Sequence, residues 1–198
     1  MFAYIKGTLE EKSTNYVVID VGGIGYKIFM SIKAIEKLCE VGELVKVYTH
    51  YHVREDNISL YGFSTNEELR MFELLISVSG IGAKSAIAIL SEIAPSSFAL
   101  AIISNDVSQL TKISGIGKKT AARIILELKD KLKTDEAVEK TEEITEAITE
   151  NNKDSEVIAA LQVLGYTRKE IEKVLGKIDR QNLSIEDIIK QSLKLLSR

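Results

Sequence analysis

Two nine-residue runs carry the same pattern 35 positions apart: Val78-Ser79-Gly80-Ile81-Gly82-Ala83-Lys84-Ser85-Ala86 and Ile113-Ser114-Gly115-Ile116-Gly117-Lys118-Lys119-Thr120-Ala121. In each run a Ser-Gly-Ile-Gly turn separates two stretches of helical periodicity, and the second stretch opens with lysine. The chemistry these residue types can do is anion holding. A helix N-terminus leaves N–H donors unpaired and carries partial positive charge, so a phosphate sits well there. The two glycines let the main chain turn tightly and let an anion approach without meeting a Cβ.

The register of the repeat is strict. Gly80 and Gly82 map onto Gly115 and Gly117, Ser79 onto Ser114, Ile81 onto Ile116 and Lys84 onto Lys119. The helices that follow also align, with Ile89 on Ile124 and Leu90 on Ile125, so the apolar face is duplicated with the turn. The second copy is more basic, carrying Lys118, Lys119 and Arg123 where the first has Lys84. Lys119 and Arg123 are four apart and share one helical face. This is the layout of a tandem helix-hairpin-helix, and it assigns Ser79, Gly80, Gly82, Lys84, Ser114, Gly115, Gly117, Lys118, Lys119 and Arg123 to phosphate binding. A dinucleotide fingerprint would need a third glycine where Ser85 and Thr120 stand. A P-loop would need glycine at 112, which is Lys112, and no Lys119 before the threonine. An ordinary glycine turn between packed helices explains either copy alone, but not an aligned pair that repeats its lysine.

Composition fits a packed protein: 198 residues, 45% hydrophobic and 28% charged. Cys39 is the single cysteine, so no intrachain disulfide can form and a reducing compartment is expected. No membrane span or signal-peptide order is legible, and the expected location is cytoplasmic. The net charge of −3 is unevenly distributed. Counted along the chain, residues 1–62 give −1, 63–133 give +2, 134–153 give −5 and 154–198 give +1. Local field governs phosphate binding, and the segment with both turns is positive.

Four segments must position these residues. Residues 1–63 read as β structure: Val17–Val21 and Tyr26–Met30 flank a Gly22-Gly23-Ile24-Gly25 hairpin signal, a short helix covers Ile32–Leu38, and strands follow at Leu44–Val53 and Ile58–Phe63. Five strands with a helix between the third and fourth is the order of an OB-fold barrel. Residues 64–133 are helical and hold both turns. Leu69, Phe72 and Leu75–Ile76 form one stripe, and Ala121, Ile124–Ile125, Leu128 and Leu132 another. Pro95 breaks the chain between the copies. Residues 134–153 are acidic with few large apolar groups, and a flexible linker or a solvated helix extension is expected. Residues 154–198 hold three amphipathic helices, with Gly165 as a left-handed cap and Ser184 with Asp187 starting the last. The fold class is α+β and multidomain: barrel, tandem helix-hairpin-helix, linker, three-helix domain.

The run Arg54-Glu55-Asp56-Asn57-Ile58-Ser59-Leu60-Tyr61-Gly62-Phe63, followed by the paired turns and the tethered three-helix tail, resembles the RuvA family of bacterial subunits that recognise four-way Holliday junctions. The resemblance spans the chain and is weakest across the linker. It implies a flat homotetramer, alone or stacked as an octamer, whose hairpins line four DNA arms. Lys84, Lys118, Lys119 and Arg123 match family positions that contact phosphates. Glu55 and Asp56 match an acidic pin at the junction centre, where carboxylates repel crossing phosphates within about a Debye length, ~8 Å. The tail, similar to ubiquitin-associated three-helix folds, would bind the ATPase RuvB, and the RuvC resolvase is a further implied partner. Family members often carry proline where Ala83 and Ser114 stand, a change that adjusts hairpin stiffness and leaves the donors in place.

Three other readings compete with this one. A helix-hairpin-helix glycosylase needs a catalytic carboxylate soon after its hairpin; only the acidic linker follows the second copy, and Asp106 reads as an N-cap. A metal-dependent nuclease needs more clustered carboxylates than Glu55 and Asp56, and His50 and His52 alternate on a strand without further ligands. No metal, cofactor or catalytic residue is expected, and without a P-loop any ATP hydrolysis must come from a partner. The remaining rival is a duplex-binding module without junction preference.

Overall fold

In the computed structural model, residues 2–55, 57–139, 152–180 and 182–196 are described. They divide into two compact units, one of residues 1–76 with 82–92 and one of 77–81 with 93–198.

The first unit is built on five strands, β1 (Tyr4–Lys12), β2 (Tyr16–Val21), β3 (Ile24–Phe29), β4 (Leu44–Val53) and β5 (Ile58–Phe63), with α1 (Ile32–Glu36) between β3 and β4. They close a barrel in the order β1-β2-β3-β5-β4. Neighbours are antiparallel except at the closure, where β3 meets β5 in parallel with Phe29 opposite Tyr61. Closure leaves no open sheet edge. The count of five, the place of the helix and the strands near 17–21, 26–30, 44–53 and 58–63 are those expected from the sequence, which gave no range for β1.

Strand alternation explains the barrel core. Ile5 and Leu9 of β1, Val17 and Ile19 of β2, Ile28 of β3 and Val45 and Val47 of β4 point inward and are buried. A bulge between Leu9 and Glu11 shifts the β1–β2 register, the device by which a strand bends at a barrel corner. Gly62 is a packing requirement: a Cβ there would stand 2.5 Å from Ile28 Cγ2 and 2.7 Å from Val47 Cγ1. At one end α1 seats Ala34 and Ile35 in the core, started by Ser31 Oγ accepting the Ala34 N–H at 3.2 Å.

Helices α2 (Asn66–Ile76) and α3 (Ala83–Glu92) complete this unit. Phe72 of α2 meets the barrel through rings of Phe63, Tyr61 and His50, with centroids 4.9, 5.2 and 5.2 Å away. His50 Nδ1 lies 3.1 Å from Glu73 Oε1, and the His52 ring lies 5.9 Å from His50. The two histidines therefore share one outer face of the barrel, and His50 buttresses α2. Desolvation, then the neighbouring His50 and Arg54, lower the His52 pKa. The buried stripe of α2 is Glu67, Met71, Phe72 and Leu75, whereas Leu69 and Ile76 are half-buried. The expected stripe is thus rotated toward Glu67, because α2 packs against both barrel and α3.

The second unit holds α4 (Pro95–Ile103), α5 (Val107–Thr111), α6 (Lys118–Glu139), α7 (Asn152–Val163), α8 (Arg168–Leu175) and α9 (Ile185–Leu196). Pro95 starts α4, as a residue lacking an N–H can at a first turn. The α4 helix packs against α6, α7 and α9, which explains why Ser96, Phe98, Ala99, Ala101 and Ile102 are all buried. Asp106 caps α5, accepting the Gln109 N–H at 2.9 Å. In the tail, Gly165 has φ +79°, and Ser184 Oγ accepts the Asp187 N–H at 3.1 Å. Thr167 and Glu170 form a capping box that starts α8, carried in the sequence as Thr-x-x-Glu. The acidic stretch begins within α6, so its first part, to Glu139, extends that helix, while residues 140–151 lie outside the described residues.

Candidate nucleic-acid interface

The repeat seen in sequence is a repeat of backbone geometry. In the first copy the Ile81 N–H donates to the Val78 carbonyl at 3.1 Å, and in the second Ile116 donates to Ile113 at 3.1 Å. Gly80 and Gly115 stand at the third position of these turns with φ +87° and +80°. That is type II turn geometry, in which the third residue must take a positive φ. The flanking apolar residues Val78, Ile81, Ile113 and Ile116 are buried, while Ser79, Gly80, Ser114 and Gly115 between them are exposed. Burial of the flanks anchors each turn, and the Ser-Gly pair is what it presents to solvent.

Each turn feeds a helix directly. The Ala86 N–H bonds to the Gly82 carbonyl at 3.0 Å, and the Ala121 N–H to the Gly117 carbonyl at 2.9 Å. Those are the first intrahelical bonds of α3 and α6, so Gly82 and Gly117 occupy the N-cap positions and the amides ahead of Ala86 and Ala121 are the orphan donors of a helix start. Lys84 is exposed in the first turn of α3, and Lys118 and Lys119 are exposed in the first turn of α6.

Around the first turn the second unit forms a recess of ≈ 160 Å³ lined by Ser79, Gly80, Lys119, Thr120 and Arg123. One side chain sets its wall: Arg123 Nη1 donates to the Ser79 carbonyl at 3.3 Å and lies 3.5 Å from where a Cβ on Gly80 would be. The Ser79 N–H, in turn, donates to Glu127 Oε2 at 3.0 Å. Ser79 is thus held by protein through both main-chain groups. Four expected site residues, Ser79, Gly80, Lys119 and Arg123, converge at this one place. Thr120 and Glu127 were not anticipated; the signal available for Glu127 was its i+4 spacing from Arg123 on one helical face.

Glu55 is exposed in the loop joining β4 to β5, which is closed by the Arg54 N–H donating to the Asn57 carbonyl at 2.9 Å. The last rung below it, Val53 opposite Ile58, is also exposed, at 58% and 61%. The hairpin tip therefore stands clear of the barrel wall. Asp56, the other carboxylate expected there, lies outside the described residues.

Among the described residues no group of three or more His, Cys, Asp or Glu side chains is arranged to hold a metal ion. No single helix among them is long and apolar enough to cross a membrane.

Comparison with known proteins agrees with this architecture along the chain. Residues 1–62 match the family described as RuvA N terminal domain, residues 72–130 the SAM-like helix-hairpin-helix tandem, and residues 152–197 the RuvA C-terminal domain. Proteins named Holliday junction branch migration complex subunit RuvA are similar over their full length. That of Acetivibrio thermocellus is 51% identical over 201 residues, covering 100% of both chains. That of Ruminiclostridium cellulolyticum is 46% identical over 199 residues, covering 99% of this chain and 100% of the relative. That of Clostridium perfringens strain ATCC 13124 is 50% identical over 202 residues, covering 100% of both. With its barrel, its twin glycine turns and its tail each matched in order, the chain belongs to the RuvA family.

Proposed function

We propose that this chain recognises four-way DNA junctions by the shape of their sugar-phosphate backbone and delivers them to an ATP-driven motor for branch migration in recombination and repair. The observation that carries the reading is the pair of type II turns with matching glycine φ and closing hydrogen bond, each presenting an exposed Ser-Gly ahead of a lysine-bearing helix start. Backbone amides and lysines contact phosphates without reading bases, so the binding is independent of sequence. Ser79, Gly80, Gly82, Lys84, Ser114, Gly115, Gly117, Lys118, Lys119 and Arg123 make up the phosphate-binding set. Of these, Ser79 contributes its hydroxyl, because its N–H is already occupied by Glu127.

Shape selection needs more than one duplex grip. A homotetramer, alone or paired face to face, would offer four copies of the hairpins to four arms, with Glu55 and Asp56 at the centre. Exposure of Glu55 at a tip whose base residues are also exposed supports insertion there. Residues 1–63 would serve as the assembly barrel, 64–133 as the DNA-binding part, 134–153 as the linker and 154–198 as the contact for RuvB. The chain itself is non-catalytic in this reading and works in the cytoplasm, with RuvC as a later partner on the same junction.

The test is a gel-shift titration of the full chain against a four-way junction and a linear duplex of equal length. The junction is expected to bind at least tenfold tighter, about 1.4 kcal/mol. Equal affinity would replace this reading with that of a duplex binder lacking junction preference.

A further inference from the structure

The α6 helix does two jobs on one face. Lys119 and Arg123 line the recess at the first turn, and one helical turn farther along Glu127 reaches back to the same turn. The Glu127 carboxylate accepts the Ser79 N–H at 3.0 Å across 48 residues of sequence, while Arg123 donates to the Ser79 carbonyl. One peptide residue is thus gripped at its donor and its acceptor by two side chains four apart. In a site meant for phosphates a carboxylate is out of place on charge alone: it takes up a turn amide and repels the ligand. The acid nevertheless recurs in the repeat, since the position 35 residues before Glu127 is Glu92. A group that costs electrostatically and occupies a donor is explained by what it holds still.

We propose that Glu127 is a positioning residue that ties the first glycine turn to α6 and so fixes the spacing between the two turns along the DNA backbone. The inference rests on the phosphate-binding reading above and adds how its geometry is set. Two turns that grip one duplex must match a fixed spacing between phosphates, and sites of this kind work only when held within about 0.5 Å. A charge-assisted hydrogen bond to a turn amide is short, directional and strong enough to hold such a loop. Arg123 alone cannot do this, because its guanidinium is also the group offered to the phosphate.

The sign of the effect separates this role from simple electrostatics. Removing a negative charge near DNA should tighten binding; removing a strut should weaken it. In the full chain, Glu127→Ala is expected to lower affinity for duplex and junction roughly tenfold, with the salt slope unchanged because no phosphate contact is lost. Glu127→Gln keeps an acceptor and is expected to restore most of the affinity. Hydrogen–deuterium exchange over residues 77–82, measured without DNA, should speed up in Glu127→Ala and stay near the parent rate in Glu127→Gln. Tighter DNA binding by Glu127→Ala, a reduced salt slope, or unchanged exchange over the turn would each overturn the proposal. Lys119→Ala, run in parallel, tests the phosphate reading itself: an unchanged affinity and slope there would remove that reading while the exchange result still decided the tie.

Discussion

Lys129 Nζ donates to the Ile103 carbonyl at 2.8 Å, closing the C-terminal end of α4 from α6. The same ammonium donates to Asn105 Oδ1 at 2.8 Å, beside the left-handed Asn105 with φ +54°. A cation at a helix C-terminus satisfies orphan carbonyls and complements the helix dipole. Ten residues earlier on α6, Lys119 is exposed and faces the recess at the first turn. Two lysines on one helix thus have different work.

Lys119→Ala is expected to weaken DNA binding alike for all sequences and to reduce the salt slope by about 1. Lys129→Ala is expected to leave the slope unchanged and to cost about 1–2 kcal/mol of folding stability. Salt-dependent binding isotherms and denaturant melts on the two variants check both; a base-sequence-dependent loss for Lys119→Ala would mean that bases are being read.

The hairpin tip between β4 and β5 carries the proposed pin. Replacing Glu55 and Asp56 with Gln and Asn should leave assembly intact, since Glu55 is exposed and the loop is closed by main-chain bonding. Junction geometry, read by energy transfer between labelled arms, or the migration rate should change. A variant that matches the parent in both would remove the pin assignment.

A chain ending at Lys133 is expected to retain junction binding and to lose motor recruitment. It should also melt at a lower temperature, because α7 and α9 cover α4, and Ser97 Oγ of α4 donates to Glu186 Oε1 of α9 at 2.9 Å. ATP-driven migration by the shortened chain would contradict the assignment of the tail.

Glu68 gives a pH dependence. Burial raises its pKa, partly opposed by hydrogen bonds from the backbone N–H groups of Ser64 and Thr65. A carboxyl whose folded pKa lies above its unfolded value contributes stability below the unfolded pKa, and that contribution is lost as pH rises through the folded one. Glu68→Gln keeps an acceptor for the Ser64 N–H, which Glu68 Oε2 receives at 2.9 Å, and removes the titration. The variant should therefore gain stability relative to the parent at pH 7 compared with pH 4. Thermal melts at the two pH values test this, and a gain that is larger at pH 4 would reverse the sign.

The sequence by itself determined which segments become strands, tight turns and capped helices. The β-rich runs Val17–Val21 and Tyr26–Met30 specified strands, and the Gly22-Gly23 pair between them specified their hairpin. The repeated Ser-Gly-Ile-Gly specified two type II turns, because only glycine takes a positive φ there without strain. Asp106, Gly165 and Ser184 were legible as caps for the same reason: each acts on backbone within a few residues.

Tertiary structure decided what depends on facing elements. Glu127 meets Ser79 only because α6 packs beside a turn 48 residues away; its i+4 spacing places it on the face of Arg123 but does not say what that face meets. The division of labour between Lys119 and Lys129 follows from which neighbour each helical position faces, one a recess and the other a helix end. The stripe of α2 turned toward Glu67 because two surfaces compete for it. Local patterns set backbone conformation through sterics and hydrogen bonding along the chain; side-chain partners across the chain are set by packing, and packing is a property of the assembled whole.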